Sequence, residues 1–201
     1  VLFRSSPRSE TDTSPNHLPV DTTSGPVLAE IDDAVKTWRD IPYAQAPIGD
    51  LRWRAPRPVE LPFSEIITQD TVACLQIASD AGGVPGEGVV GSEDCLYLDI
   101  KAPSFTRTNE PLPVMFWIHG GGNTAGYKGY YDFSALVEAE NVIVVTINYR
   151  LGPLGWFSHP AVQGPAKGLD RSSNFGTLDI IQALRWVQNN IENFGGDPGN
   201  V

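Results

Sequence analysis

The chain has 201 residues, 41% of them hydrophobic and 19% charged, which is enough to bury a real core in one large domain or two small ones. Its 24 Asp and Glu outnumber 14 Lys and Arg, giving a net charge of −10 that argues against nucleic acid and anionic membrane surfaces as partners. No stretch approaches the roughly 20 apolar residues of a transmembrane segment, and 20 Gly with 17 Pro promise many loops between short elements.

Residues 1–26 are rich in Ser, Thr, Pro and Asp and read as a flexible leader with a short strand at its end. The first residue is Val and no signal-peptide core follows, which reads as a processed or shortened front end. Residues 27–31 and 34–38 predict a hairpin turned at Asp32-Asp33. The proline- and glycine-rich run 40–63 predicts an extended crossing, and residues 79–93 a surface loop. Leu96-Tyr97-Leu98-Asp99-Ile100 alternates like a strand. Val114-Met115-Phe116-Trp117-Ile118 is continuously apolar, as expected of a strand covered on both faces, and residues 142–147 form a second such run. Between them, residues 132–140 predict a short helix. The longest helix is expected over 177–194, with Leu178, Ile181, Leu184, Val187, Ile191 and Phe194 on one face and Gly195-Gly196 as its stop. Apolar strand, helix, apolar strand, long helix is the pattern of an α/β fold with parallel strands, and a further strand is due where the chain ends.

His119-Gly120-Gly121-Gly122 follows directly on the first apolar strand. Three successive glycines cost conformational entropy unless backbone must approach something closely or adopt unusual dihedrals. At the carboxyl end of a sheet strand, their N–H groups face the crevice where α/β proteins bind ligands. Donors there can hold the negative oxygen of a tetrahedral acyl-transfer intermediate. A turn that merely needs flexibility is the plainer alternative. A phosphate loop fails, because Tyr127 stands where its lysine is required. Cys74 and Cys95 either close a disulfide loop of a size worth about 3 kcal/mol or stay as two buried thiols. There is no C-x-x-C, and the three histidines are far apart, so neither a metal nor a cofactor is expected.

Several segments then appear in order: Ile41-Pro42-Tyr43-Ala44, Pro47-Ile48-Gly49-Asp50-Leu51-Arg52-Trp53, and Glu93-Asp94-Cys95-Leu96-Tyr97-Leu98-Asp99-Ile100. After the glycines come Asn148-Tyr149-Arg150-Leu151-Gly152, Asn174-Phe175-Gly176-Thr177-Leu178-Asp179 and Phe194-Gly195-Gly196-Asp197-Pro198. From about Val27 to Val201 the series resembles the type-B carboxylesterase family, which includes cholinesterases, fungal lipases and neuroligins. The resemblance implies an α/β-hydrolase fold, with residues 27–201 as the amino-terminal part of one larger domain whose sheet is mixed and mostly parallel. It implies a small carboxylic ester as substrate and a Ser-acid-His triad acting through an acyl-enzyme. Gly121 and Gly122 match the family's main oxyanion donors, while Gly120 and His119 shape the loop. Cys74 and Cys95 match its first disulfide, which implies an oxidising compartment and a secreted or periplasmic protein. Arg52 with Glu93, and Arg150 with Asp179, match two structural ion pairs; the alternative for either is a pair of solvated surface charges.

The chain departs from the family in one respect. It holds no G-x-S-x-G, the elbow that carries the nucleophile, and the resemblance places that elbow just beyond residue 201. His17 lies in the leader, and His159, between aromatics and Pro160, reads as structural. The chain by itself is therefore expected to be inactive and to expose an apolar sheet edge. A non-catalytic relative of the neuroligin kind, an adhesion or scaffold domain, is the competing reading. Tyr127, Tyr130 and Tyr131 either line an acyl or alcohol pocket or pack as loop residues, and Trp117 reads as core. The sequence assigns no oligomeric state.

Overall fold

In the computed structural model, residues 19–32, 34–59 and 73–201 are described. His17 and most of the expected leader, Asp33, and the end of the 40–63 crossing lie outside them. The strands are β1 (Val20–Thr22), β2 (Gly25–Val27), β3 (Glu30–Asp32), β4 (Val35–Pro42), β5 (Gln76–Ile77), β6 (Val89–Val90), β7 (Tyr97–Pro103), β8 (Val114–Ile118) and β9 (Ile143–Ile147). The helices are α1 (Ser134–Glu140), α2 (Gly152–Gly155), α3 (Pro160–Gln163) and α4 (Phe175–Asn190).

Five strands form one sheet in the order β3-β4-β7-β9-β8. The sheet is mixed, as expected, and within the described portion most pairs are antiparallel. The pairs β3–β4, β4–β7 and β7–β9 are antiparallel, and β8–β9 is parallel across the α1 crossover. Of the antiparallel pairs only β3–β4 is a hairpin closed by a short turn; β4–β7 and β7–β9 join strands from distant parts of the chain. The expected hairpin forms with Asp32 opposite Val35. Its first arm is short, because Val27 belongs instead to β2, which pairs with β1. The short strand expected at the end of the leader is thus present and is paired in a two-stranded hairpin. The expected 79–93 loop likewise contains β6, paired with β5 as a small ribbon.

Period-2 alternation sends alternate residues of the sheet to opposite faces. On one face, Trp38, Leu98, Ile100, Ile143, Val145 and Ile147 are buried in a single cluster with Ala183, Trp186, Val187, Ile191 and Phe194. Trp38 meets Phe194 edge-on at 5.0 Å. The buried stripe of α4 is Phe175, Asp179, Ala183, Trp186, Val187 and Asn190, with Ile191 in the 3-10 turn that follows. That differs from the expected face. Ile181 is 39% and Leu184 36% exposed. Steps of three residues fall about 60° short of a full turn each time, so 178, 181 and 184 walk off the stripe that alternating steps of three and four maintain.

Among the described residues the other face is covered by α1, through a small cluster of Val35, Val137 and Val144, with Phe133 packed beside it. Strand β8 lies at the edge of the sheet among the described residues, so it is not covered as expected: Trp117 is half-buried and Ile118 is 43% exposed. Gly195, at φ 84°, turns the chain back after α4. Its carbonyl accepts from Leu112 N–H at 2.9 Å, Asp197 N–H donates to Leu112 O at 2.8 Å, and Asn200 O accepts from Val114 N–H at 3.0 Å. Residues 195–200 therefore start down the open side of β8. No helix among the described residues is long and apolar enough to cross a membrane.

Candidate active site

Strands β8 and β9 run parallel and finish level, with Ile118 opposite Ile147. Whatever follows each strand must therefore meet at the carboxyl end of the sheet. His119-Gly120-Gly121-Gly122 follows β8, and Asn148-Tyr149-Arg150 follows β9. The two segments are tied at once: the Tyr149 hydroxyl donates to the His119 carbonyl at 2.8 Å, and the two rings stack at 4.4 Å.

A planar trans peptide has its C=O and the following N–H on opposite sides. Pinning one therefore aims the other. The His119 carbonyl is held by Tyr149, so the Gly120 N–H points away from it. The Gly120 carbonyl lies 2.9 Å from His119 Nδ1, which must carry a proton to donate to it, and the Gly121 N–H is aimed the other way. The Gly121 carbonyl accepts from Thr124 N–H, Ala125 N–H and Thr124 Oγ1 at 3.1, 3.2 and 3.0 Å, which orients the Gly122 N–H. Among the described residues, none of these three glycine N–H groups has a hydrogen-bond acceptor. Three consecutive donors are thus oriented by their own carbonyls and left open to solvent.

At Gly121 and Gly126 a glycine is required by geometry. Gly121 sits at φ 110°, and a Cβ on it would fall 2.1 Å from the Ala125 carbonyl oxygen. Gly126, at φ 120°, closes the loop against His119, where a Cβ would lie 2.2 Å from Nδ1. The loop tip is also anchored, since Asn123 O accepts from Gly152 N–H at 2.7 Å. The His119 side chain is buried, and burial pushes its pKa below the ordinary value, partly offset by the Gly120 carbonyl. With Nδ1 spent on Gly120 O, its Nε2 has no partner among the described residues.

Cys74 and Cys95 form a disulfide with their Cα atoms 5.0 Å apart. The ion pairs differ in setting. Arg150 lies in the core, donating through Nε and Nη2 to Asp179 Oδ2 and Oδ1 at 2.8 and 2.7 Å, while its backbone N–H adds a third bond at 3.1 Å. Burial pushes the Asp179 carboxyl up, against the downward pull of that guanidinium. Arg52 and Glu93 also pair through two contacts of 2.6 Å, but their side chains are 42% and 22% exposed. Tyr127, Tyr130 and Tyr131 pack edge-on in series, and Tyr131 continues onto Trp117 at 5.5 Å.

Three supports were not singled out from the sequence. Tyr149 was visible only as part of a motif. Lys128 carries a buried ammonium 2.9 Å from Asp40 and 2.8 Å from Asp99, and its N–H donates to Asn148 Oδ1 at 2.8 Å. An aspartate inside the apolar run Leu98-Asp99-Ile100 was the available signal. Gln76 reaches Gly126 from the disulfide loop, and no pattern in the sequence marks it.

The model of the carboxylesterase family matches residues 17–201. Liver carboxylesterase 1F of Rattus norvegicus is 41% identical over 199 residues, covering 90% of this chain and 34% of that protein. Fumonisin B1 esterase of Sphingopyxis macrogoltabida is 43% identical, covering 90% and 33%. A thermophilic PNB esterase superposes with a TM-score of 0.78 at 39% identity, over 92% of this chain and 38% of its own. A Geobacillus stearothermophilus carboxylesterase gives a TM-score of 0.75 at 36% identity, covering 90% and 36%. The chain spans about a third of the length of these curated relatives. The architecture it shares with the solved esterases is the α/β-hydrolase fold.

Proposed function

The chain belongs to the carboxylesterase family, and from that membership we propose that it supplies the glycine-loop half of the oxyanion hole of a carboxylic-ester hydrolase. One observation carries the reading: the peptide N–H groups of Gly121 and Gly122 are oriented by pinned carbonyls and, among the described residues, left without acceptors, at the carboxyl end of a parallel strand. An ester carbonyl seated against them gains negative charge as a nucleophile adds. Preformed donors need no reorganisation at that moment, and each is worth about 10²–10³ in kcat. The nucleophilic serine and its acid and histidine partners are assigned outside these 201 residues. His119 is not the base. Its Nδ1 is engaged by Gly120 and its ring is stacked on Tyr149, so its work is to hold the loop. Gly120 serves the same purpose. The disulfide supports folding in an oxidising compartment, and thus a secreted or periplasmic protein.

The test is hydrolysis of p-nitrophenyl esters of graded acyl length by the full-length protein. Turnover should fall about 10²–10³-fold in kcat for Gly121→Ala, whose Cβ has no room, with folding retained. A folded full-length protein that cleaves none of these esters sinks the proposal and leaves the partner-binding scaffold role.

A further inference from the structure

The residue that closes the far end of the glycine loop comes from a different part of the chain. Gln76 lies on β5, two residues beyond Cys74, and its carboxamide is buried. Both ends of that carboxamide are used on one glycine. Oε1 accepts from Gly126 N–H at 2.9 Å, and Nε2 donates to Gly126 O at 2.9 Å. Nε2 also donates to the Cys74 carbonyl at 2.9 Å. With one donor and two carbonyls around it, only this orientation of the amide pairs every atom.

Gly126 is in turn pressed against His119 Nδ1 and the Gly120 carbonyl, the two groups that aim the Gly121 N–H. Moving Gly126 outward by a few tenths of an ångström removes the wall behind both. The strand carrying Gln76 is itself held. Leu75 N–H donates to Ser92 O at 3.0 Å, β5 pairs with β6, and the Cys74–Cys95 disulfide fastens the chain two residues away.

We propose that Gln76 is a positioning residue of the oxyanion hole: it clamps Gly126 and, through His119 and Gly120, fixes the direction of the donors, with the disulfide as the anchor of the clamp. Gln76 acts through the loop and not on the ester. This rests on the ester-hydrolase reading, in which a misplacement of about 1 Å costs up to 10²-fold in rate. The donors act on charge that develops in the transition state, so their misalignment should appear in kcat and leave KM nearly unmoved.

The experiment is Gln76→Met in the full-length protein, which keeps the length and apolar stem and removes both hydrogen-bonding ends. The expected result is a kcat for p-nitrophenyl butyrate lower by about 10- to 100-fold, a KM within about twofold, and faster amide exchange confined to residues 119–128. A folded variant with unchanged kcat overturns the proposal, as does a loss confined to KM. Should Gln76→Met fail to fold, the wild-type protein decides. A Gly126 N–H that exchanges at the free-peptide rate overturns the clamp, and one protected by about 100-fold or more upholds it. Wild-type protein that hydrolyses no ester, yet shows that protection, would fail the ester reading while keeping the clamp.

Discussion

The two faces of the sheet are built from opposite materials. Beneath α4, Trp38, Leu98, Ile100, Ile143, Val145 and Ile147 join the helix in one dry cluster. Beneath α1, three valines make the buried contact, and Thr37, Asp99, Lys101, Lys128 and Thr146 line an open hollow of about 750 Å³ beside them. The first face holds the fold by removing apolar area from water, at about 25 cal/mol per Å². The second holds the exit of the glycine loop by charge, since Lys128 brings Asp40 and Asp99 together directly after Gly126 and Tyr127. A stable scaffold and an oriented loop are therefore separate properties, set on separate sides of the same strands.

The largest effect should come from the apolar face. Trp186→Ala empties part of the cluster and removes the Nε1–H that donates to the Ser24 hydroxyl at 2.9 Å. It should cost about 3–5 kcal/mol, read as a lower melting temperature, with kcat unaltered in the fraction that stays folded. Lys128→Met tests the other face. It leaves two buried carboxylates facing each other and should cost about 3 kcal/mol, with amide exchange rising first in residues 119–128. Uniform exchange through the whole sheet instead would erase the division between the faces. Arg52→Ala removes an ion pair that is partly in water and should leave the melting temperature nearly unchanged. The smallest effect belongs to Asp132 at the rim of the hollow. Hydrogen bonds from the Ser134 side chain and backbone, and then from Lys101, hold its carboxyl down to about 2. Its contribution is present above the ordinary carboxylate pKa of about 4 and is lost as pH falls through the lowered value. An NMR titration that puts Asp132 near the ordinary value would remove it from the polar face's account.

Strand β9, the α1 crossover and the glycine loop were legible because each is written locally: an unbroken apolar run, a short helical stretch, three glycines in a row. The stripe of α4 was misjudged because its buried face includes Asp179 and Asn190, and their partners, Arg150 and the β1–β2 turn, are remote in sequence. Burial of a polar residue is decided by such a partner, which periodicity cannot register. The same limit hid Gln76 and Lys128. The ion pairs were marked by the family resemblance, yet nothing in the sequence separated the buried Arg150–Asp179 pair from the wetter Arg52–Glu93 pair. An open apolar sheet edge was expected, but the sequence did not say that β8 would be the strand there, because an apolar run reads alike whether one neighbour or two flank it.

The small hairpin of β1 and β2 has a consequence for biosynthesis. Thr23 N–H donates to Asn190 Oδ1 at 2.7 Å, and Asn190 Nδ2 donates back to Thr23 Oγ1 at 2.9 Å. The interval between these residues is 167 positions. At roughly 5–20 residues per second on the ribosome, the hairpin waits on the order of 10–30 s for its helix to be made. It emerges well before the helix residue on which it docks. Through that interval the nascent sheet lacks its covering helix, and Ser24, which donates to Pro42 O at the end of β4, has not yet received Trp186. Translation speed across the whole stretch between the hairpin and the end of α4 then governs how long that apolar face stays open to chaperones.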